Sequence, residues 1–243
     1  MKMKKQIIKI IILIFTIILF QSCENNTTID PKIKNDITMN PPIDNHLKFF
    51  WFTLVDVWWD DTLDKTIKTN YVDEVAPFSN VADINLVDPN ENIISRLQFM
   101  EQHKMKAILH VYELFFEQVG INSVWGTIYD LRPDYKTRWD NFVKINDIYS
   151  NSSLIQTFYV GEEPFMNDIS FLELKTATDY IKSTVPEVPI MIIEAYTFIN
   201  KLQIPTTVDW VGFDHYFVND PLNSKVYRNE LELVKSKLST PTQ

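Results

Sequence analysis

Phe158-Tyr159-Val160-Gly161-Glu162-Glu163-Pro164 is an apolar and aromatic run that ends in two adjacent carboxylates and a proline. Its composition suits a buried strand whose tip presents acid groups. Neighbours along a strand point to opposite faces, so if strand geometry persists through the pair only one of Glu162 and Glu163 faces a site. Pro164 supplies no N–H and disfavours the helical region for the residue before it, which predicts an extended Glu163. An ordinary acidic strand-to-loop turn would read the same way.

Similar runs flank this one at Leu47–Val57, Val81–Val87, Lys106–Val111, Pro189–Ala195 and Val208–Phe213, with Ile155–Val160 as the fourth of six. Segments of helical pattern lie between them at Asn92–His103, Lys136–Tyr149, Ser170–Ser183 and Arg228–Leu238. Ser170 opens its helix with Glu173 three residues on, the spacing of a capping box. Strands apolar on both faces and separated by helices predict a parallel sheet of βα units. Residues 47–243 hold about six such units, against the eight units and roughly 250 residues of a closed barrel. The fold class expected is therefore α/β, a (β/α)8-type barrel that is incomplete, with an open doubly wound sheet as the alternative. The four glycines, Gly120, Gly126, Gly161 and Gly212, are too far apart for a dinucleotide fingerprint or a phosphate loop.

In a barrel the reactive groups gather at the carboxyl ends of the strands. The polar residues ending the six runs are Asp56 with Trp58 and Trp59, Asp88, His110 with Tyr112 and Glu113, Glu162 with Glu163, Glu194 with Tyr196, and Asp214 with His215 and Tyr216. Taken singly, His110 reads equally as a core histidine and the Trp58-Trp59 pair as a barrel cap.

The run Tyr159-Val160-Gly161-Glu162-Glu163-Pro164 resembles the fourth-strand motif of the clan of retaining (β/α)8 glycoside hydrolases, in which Asn-Glu-Pro carries the acid/base glutamate. Val208-Asp209-Trp210-Val211-Gly212-Phe213-Asp214-His215-Tyr216 is similar to the Asp-x-x-Gly-x-x-x-Tyr strand of such barrels. The resemblance implies that Glu163 is the proton donor, that Tyr216 or Asp214 lines the site, and that no cofactor takes part. Glu162 replaces the asparagine of the motif, and a carboxylate accepts but cannot donate a hydrogen bond to a sugar hydroxyl. The clan places its nucleophile at the end of a seventh strand, beyond the sixth run read here.

Glycoside cleavage needs one protonated and one ionised carboxyl, and within this sequence the second is Glu194 or Asp214. Burial and the adjacent Glu162 both act to raise the pKa of Glu163 in the required direction. Trp58, Trp59, Trp125 and Tyr196 are candidate stacking faces for a pyranose ring, although packing against loops explains Trp125 as well. Glu162, His110, Tyr112, Glu113, His215 and Tyr216 are the remaining candidate substrate contacts. The histidines His46, His103, His110 and His215 are scattered, so no metal site is expected, and no G-x-S-x-G elbow is present.

Before the first run lies a different kind of sequence. Lys2, Lys4, Lys5 and Lys9 precede the apolar stretch Ile10–Phe20, which has the layout of a secretory signal over residues 1–22 and would be too short, as a helix, to span a bilayer. Leu19-Phe20-Gln21-Ser22-Cys23 resembles the lipobox of bacterial lipoproteins, which implies cleavage before Cys23, lipidation of its thiol and membrane anchoring in the bacterial cell envelope. Residues 23–46, rich in Asn, Thr, Asp, Pro and Lys, read as a flexible tether to a domain at 47–243. Cys23 is the single cysteine, so no internal disulfide is expected. Loss of four lysines with the signal moves the formal charge from −9 to about −13, which argues against nucleic acid and suits a neutral carbohydrate. The expected function is glycoside hydrolysis on poly- or oligosaccharides. The alternatives are a non-catalytic carbohydrate-binding lipoprotein, an inactive fragment of a longer glycosidase, and a chitinase-like barrel, whose Asp-rich approach to the acid glutamate is absent here.

Overall fold

The computed structural model describes residues 48–57, 59, 60, 67–122 and 126–238. The predicted signal at residues 1–22, the predicted tether at 23–46 with Cys23, Trp58 and Trp125 lie outside the described residues. The strands are β1 (Val81–Asn85), β2 (Lys106–His110), β3 (Phe116–Asn122), β4 (Gly126–Leu131), β5 (Ile155–Glu162), β6 (Ile190–Ala195) and β7 (Trp210–Asp214). Five of them form one parallel sheet in the order β1-β2-β5-β6-β7, while β3 and β4 pair as a separate antiparallel hairpin.

That order settles the choice between barrel and doubly wound sheet. Each new strand is added at the same edge, and the helices share one side. Ala82, Ile84, Ala107, Leu109, Phe158, Val160, Ile190 and Ile192 pack with Leu97 and Met100 of the helix Ile94–Gln102, Trp139 and Phe142 of Tyr135–Ile145, and Leu174, Ala177 and Ile181 of Phe171–Thr184. Here α1 is Val72–Val75, α2 Ile94–Gln102, α3 Tyr112–Phe115, α4 Tyr135–Ile145, α5 Ile148–Asn151, α6 Phe171–Thr184 and α7 Lys225–Leu238. The alternate residues Val81, Ile108, Tyr159 and Met191 form a second, smaller cluster with Phe49, Trp51, Ile193 and Trp210, to which no helix contributes. A helix-covered outer face and a helix-free inner face define a partial (β/α) barrel.

Several boundaries differ from the sequence reading. The described part of the predicted run Leu47–Val57, residues 48–57, is not a strand: it touches β1 through a single parallel bridge, Asp56 to Ile84. The reason is Asp83, whose carboxylate accepts the N–H groups of Leu54 and Val55 at 2.9 Å each, while Leu54 turns to φ 61. The predicted helix over Lys136–Tyr149 is two, broken at Asp147 with φ 43; the Asn146 side chain accepts the Ile93 N–H at 2.7 Å and donates to the carbonyls of Glu91 and Phe142. The fifth unit carries a 3-10 helix, Tyr196–Lys201, in place of an α-helix. By contrast Ser170 caps α6 with the full capping box, Glu173 reaching back to the Ser170 N–H at 3.0 Å.

Candidate active site

The carboxyl ends of β5, β6 and β7 bring four carboxyl groups together. A register shift between Tyr159 and Gly161 interrupts the pairing of β5 with β6, and this bulge breaks the simple alternation of faces. Tyr159 and Glu162 are consequently neighbours, and the Tyr159 hydroxyl donates to Oε2 of Glu162. Gly161 suits this point, since a Cβ would crowd Cγ2 of Ile192 at 3.1 Å and Cγ of Pro164 at 3.3 Å. Glu163 then sits at φ 47, in the left-handed region, so the expected extended conformation is corrected. Its N–H donates to the carbonyl of Ile193 at 2.7 Å, which fixes the turn against β6. Both glutamates sense the charge of Asp214, but of the two only Glu163 lines the cavity beside it, Glu162 being held by Tyr159.

Glu163 and Asp214 line a cavity of about 280 Å³ together with Met166, Ala195, Tyr196, Thr197, Tyr216 and Phe217. Burial raises the pKa of Glu163 to about 8, reinforced by a hydrogen bond with the Asp214 carboxyl and by the charges of Asp214, Glu162 and Glu194. Burial lifts Glu162 to about 7, with Asp214, Asp83 and Glu194 adding to it. Glu194 also rises to about 7 through burial, opposed by N–H donors from Phe165, Ala195 and Met166. Its side chain is 0% exposed, Oε2 accepting from Phe165 and Oε1 from Ala195, so Glu194 faces the loop of Glu163 and not the cavity. Oδ1 of Asp214 is buried without a protein partner. Burial and Asp214 together push the Tyr216 hydroxyl up to about 12.

The other predicted residues divide. His110 is half-buried against Tyr159, ring centroids 4.6 Å apart, with Nδ1 3.2 Å from Oδ1 of Asn85 and a buried, unpartnered Nε2; desolvation lowers its pKa to about 4, so it is neutral. Tyr112 is buried with an unpartnered hydroxyl, raised by desolvation and near enough to sense Glu162 and Glu163. His215 stacks on Tyr196 at 4.0 Å, and its Nδ1 lies 2.5 Å from Oε2 of Glu230, so it supports the cavity wall from behind. Glu113 stands apart, half-buried, near Arg132 and Arg138. Asp56 is held by Nε of Arg96 at 2.7 Å, Asp88 closes an exposed turn on Asn90, and Trp59, 38% exposed, does not line the cavity.

Sequence reasoning missed Asp83, Asn85, Tyr159 and Phe217. The first two alternate along Val81–Asn85 with period two, the signal of a shared face, and Tyr159 occupies the inner face of its own strand. Phe217, 86% exposed at φ 64, carried no signal. Among the described residues no three His, Cys, Asp or Glu side chains are arranged to hold a metal ion.

Fold and cavity thus define a partial (β/α) barrel with a carboxyl cluster at its strand tips. No family model matches the chain, and no curated protein is similar to it in sequence. Solved structures do match. ScGas2 with compound 9 gives a TM-score of 0.50 at 15% identity, covering 78% of this chain and 47% of that chain, and ScGas2 with compound 11 gives 0.50 at 14% over the same shares. Saccharomyces cerevisiae Gas2p in complex with laminaritriose and laminaritetraose gives 0.49 at 15%, covering 78% and 46%. The chain spans about half the length of the structures it matches, and at such identities the likeness is one of fold.

Proposed function

We propose that the chain is a glycoside hydrolase acting on poly- or oligosaccharides, with Glu163 as general acid/base and Asp214 as the second carboxyl. The observation that carries this reading is the contact of Glu163 with Asp214 in one cavity, where Glu163 is lifted to about 8 and keeps its proton at neutral pH. A protonated Glu163 can donate to a leaving glycosidic oxygen, and a carboxylate at Asp214 can meet the positive charge that develops at the anomeric carbon. Tyr196, Tyr216 and Phe217 offer aromatic faces beside the acid.

Glu194, read from sequence as the other possible second carboxyl, is assigned instead to holding the Glu163 loop. Export by residues 1–22 and lipid anchoring at Cys23 in a bacterial envelope complete the proposal, supported by the Lys-rich start, the apolar run and the cysteine that follows; Cys23→Ala should abolish incorporation of labelled palmitate.

Incubation with laminarin oligosaccharides and a panel of other oligosaccharides tests the activity. New reducing ends released by the wild type and not by Glu163→Gln are expected. Binding without release would assign the chain to carbohydrate binding alone.

A further inference from the structure

The two glutamates at the end of β5 cannot hold their own arrangement. Glu163 occupies a left-handed backbone conformation that is unfavourable for a non-glycine residue. The groups facing it are Glu162, Glu194 from β6, Asp214 and Tyr216 from β7 and beyond, and Tyr112 from α3. All are acids or phenols with no cation among them, so apart from the hydrogen bonds between Glu163 and Asp214 and from Tyr159 to Glu162, no attraction within the group holds the carboxyls in place. The restraint must come from hydrogen bonds.

Those bonds converge on Asn167, which is 9% exposed. Its backbone N–H donates to the carbonyl of Glu163 at 2.9 Å, and its Nδ2 donates to the carbonyl of Glu162 at 2.9 Å. Its Oδ1 accepts from the Thr127 hydroxyl at 2.6 Å, and its carbonyl accepts the Tyr129 N–H at 3.1 Å. Thr127 and Tyr129 belong to β4, so one residue joins both glutamate peptide planes to a hairpin that is no part of the barrel sheet. Asn122 of the same hairpin donates to Asp168 at 3.1 Å, and the Leu131 N–H to Glu173 at 3.1 Å, so the brace runs along the whole connection from β5 to α6.

We infer that Asn167 is the positioning residue of this site, and that the β3–β4 hairpin acts through Thr127 and Tyr129 as the brace that holds the Glu162-Glu163 turn and keeps Glu163 beside Asp214. The inference rests on the reading of Glu163 given above. Asn167→Ala removes the side-chain bonds to the Glu162 carbonyl and to Thr127 while keeping the main-chain bond to the Glu163 carbonyl, and this partial release of the clamp lets the loop relax outward, returning Glu163 toward water and away from Asp214.

The test is the titration of Glu163 followed by its carboxyl carbon resonance in 13C-glutamate-labelled chain, in wild type, Asn167→Ala and Thr127→Val, with circular dichroism confirming that each is folded. The wild-type midpoint is expected at about 8. Asn167→Ala should lower it by about one pH unit or more, and Thr127→Val by less in the same direction. On a cleaved glycoside the alkaline limb of kcat should move with the midpoint, and kcat should drop roughly 10- to 100-fold with a smaller change in KM. A folded Asn167→Ala whose Glu163 midpoint equals that of wild type overturns the inference; if Asn167→Ala does not fold, an unshifted Thr127→Val overturns it. Shifted midpoints in a chain that cleaves no glycoside would sustain the positioning role and sink the hydrolase reading instead.

Discussion

Oε2 of Glu194 accepts the N–H of Phe165 at 2.9 Å, which ties the end of β6 to the loop two residues beyond Glu163. The other oxygen accepts the N–H of Ala195 at 3.0 Å, so both are committed to backbone donors. A carboxylate is the one side chain that satisfies two such donors with two acceptors. Glu194→Gln would turn an amide NH2 toward one of these N–H groups and should cost roughly 1–3 kcal/mol. Urea denaturation measures the loss, and a variant as stable as wild type would show that the bonds contribute little.

Stability should fall between about pH 4.5 and pH 8. Glu162, Glu163 and Glu194 titrate near 7, 8 and 7 in the folded chain, above the 4.5 of an unperturbed glutamate, so over this window the folded state binds more protons than the unfolded. His110, lowered to about 4 from 6.5, acts in the opposite sense up to about pH 6.5, one group against three. Melting temperatures recorded across this range should decline toward pH 8, and a rise would mean the three carboxyls are solvated.

Catalysis should share the alkaline boundary. A general acid works while protonated, so kcat/KM should be sustained below about 8 and decline as pH rises through it. An alkaline limb below pH 6 would place the essential acid elsewhere.

Ser170→Ala should cost about 1 kcal/mol by removing the cap of α6. For a domain of this size that is a drop of about 2–4 °C in Tm. Differential scanning calorimetry checks it, and an unchanged Tm would show that the capping box adds nothing.

Much of this fold is written locally. The runs that became β1, β2, β5, β6 and β7 are largely apolar, and Ser170 with Glu173 marks a helix start that needs only near neighbours to form. What escaped was set by distant partners. Asp83 takes the amides that Leu54 and Val55 would have offered to a strand, and Asn146 stops a helix to satisfy Ile93. The hairpin of β3 and β4 lies in a stretch with weak alternation, and its purpose appears only when Thr127 meets Asn167. In the same way Glu162 and Glu163 announced acid chemistry at a strand tip, but the bulge at Gly161 that brings both within range of the Asp214 charge depends on the fit of Ile192 and Pro164 around a missing side chain.

The most direct test of Glu163 as the proton donor compares leaving groups. Glu163→Gln should lose roughly 10²- to 10⁴-fold in kcat/KM on a glycoside with a poor leaving group, such as a sugar, and far less on the dinitrophenyl glycoside, whose departure needs no proton. An equal loss on both substrates, or no loss on either, would contradict the account.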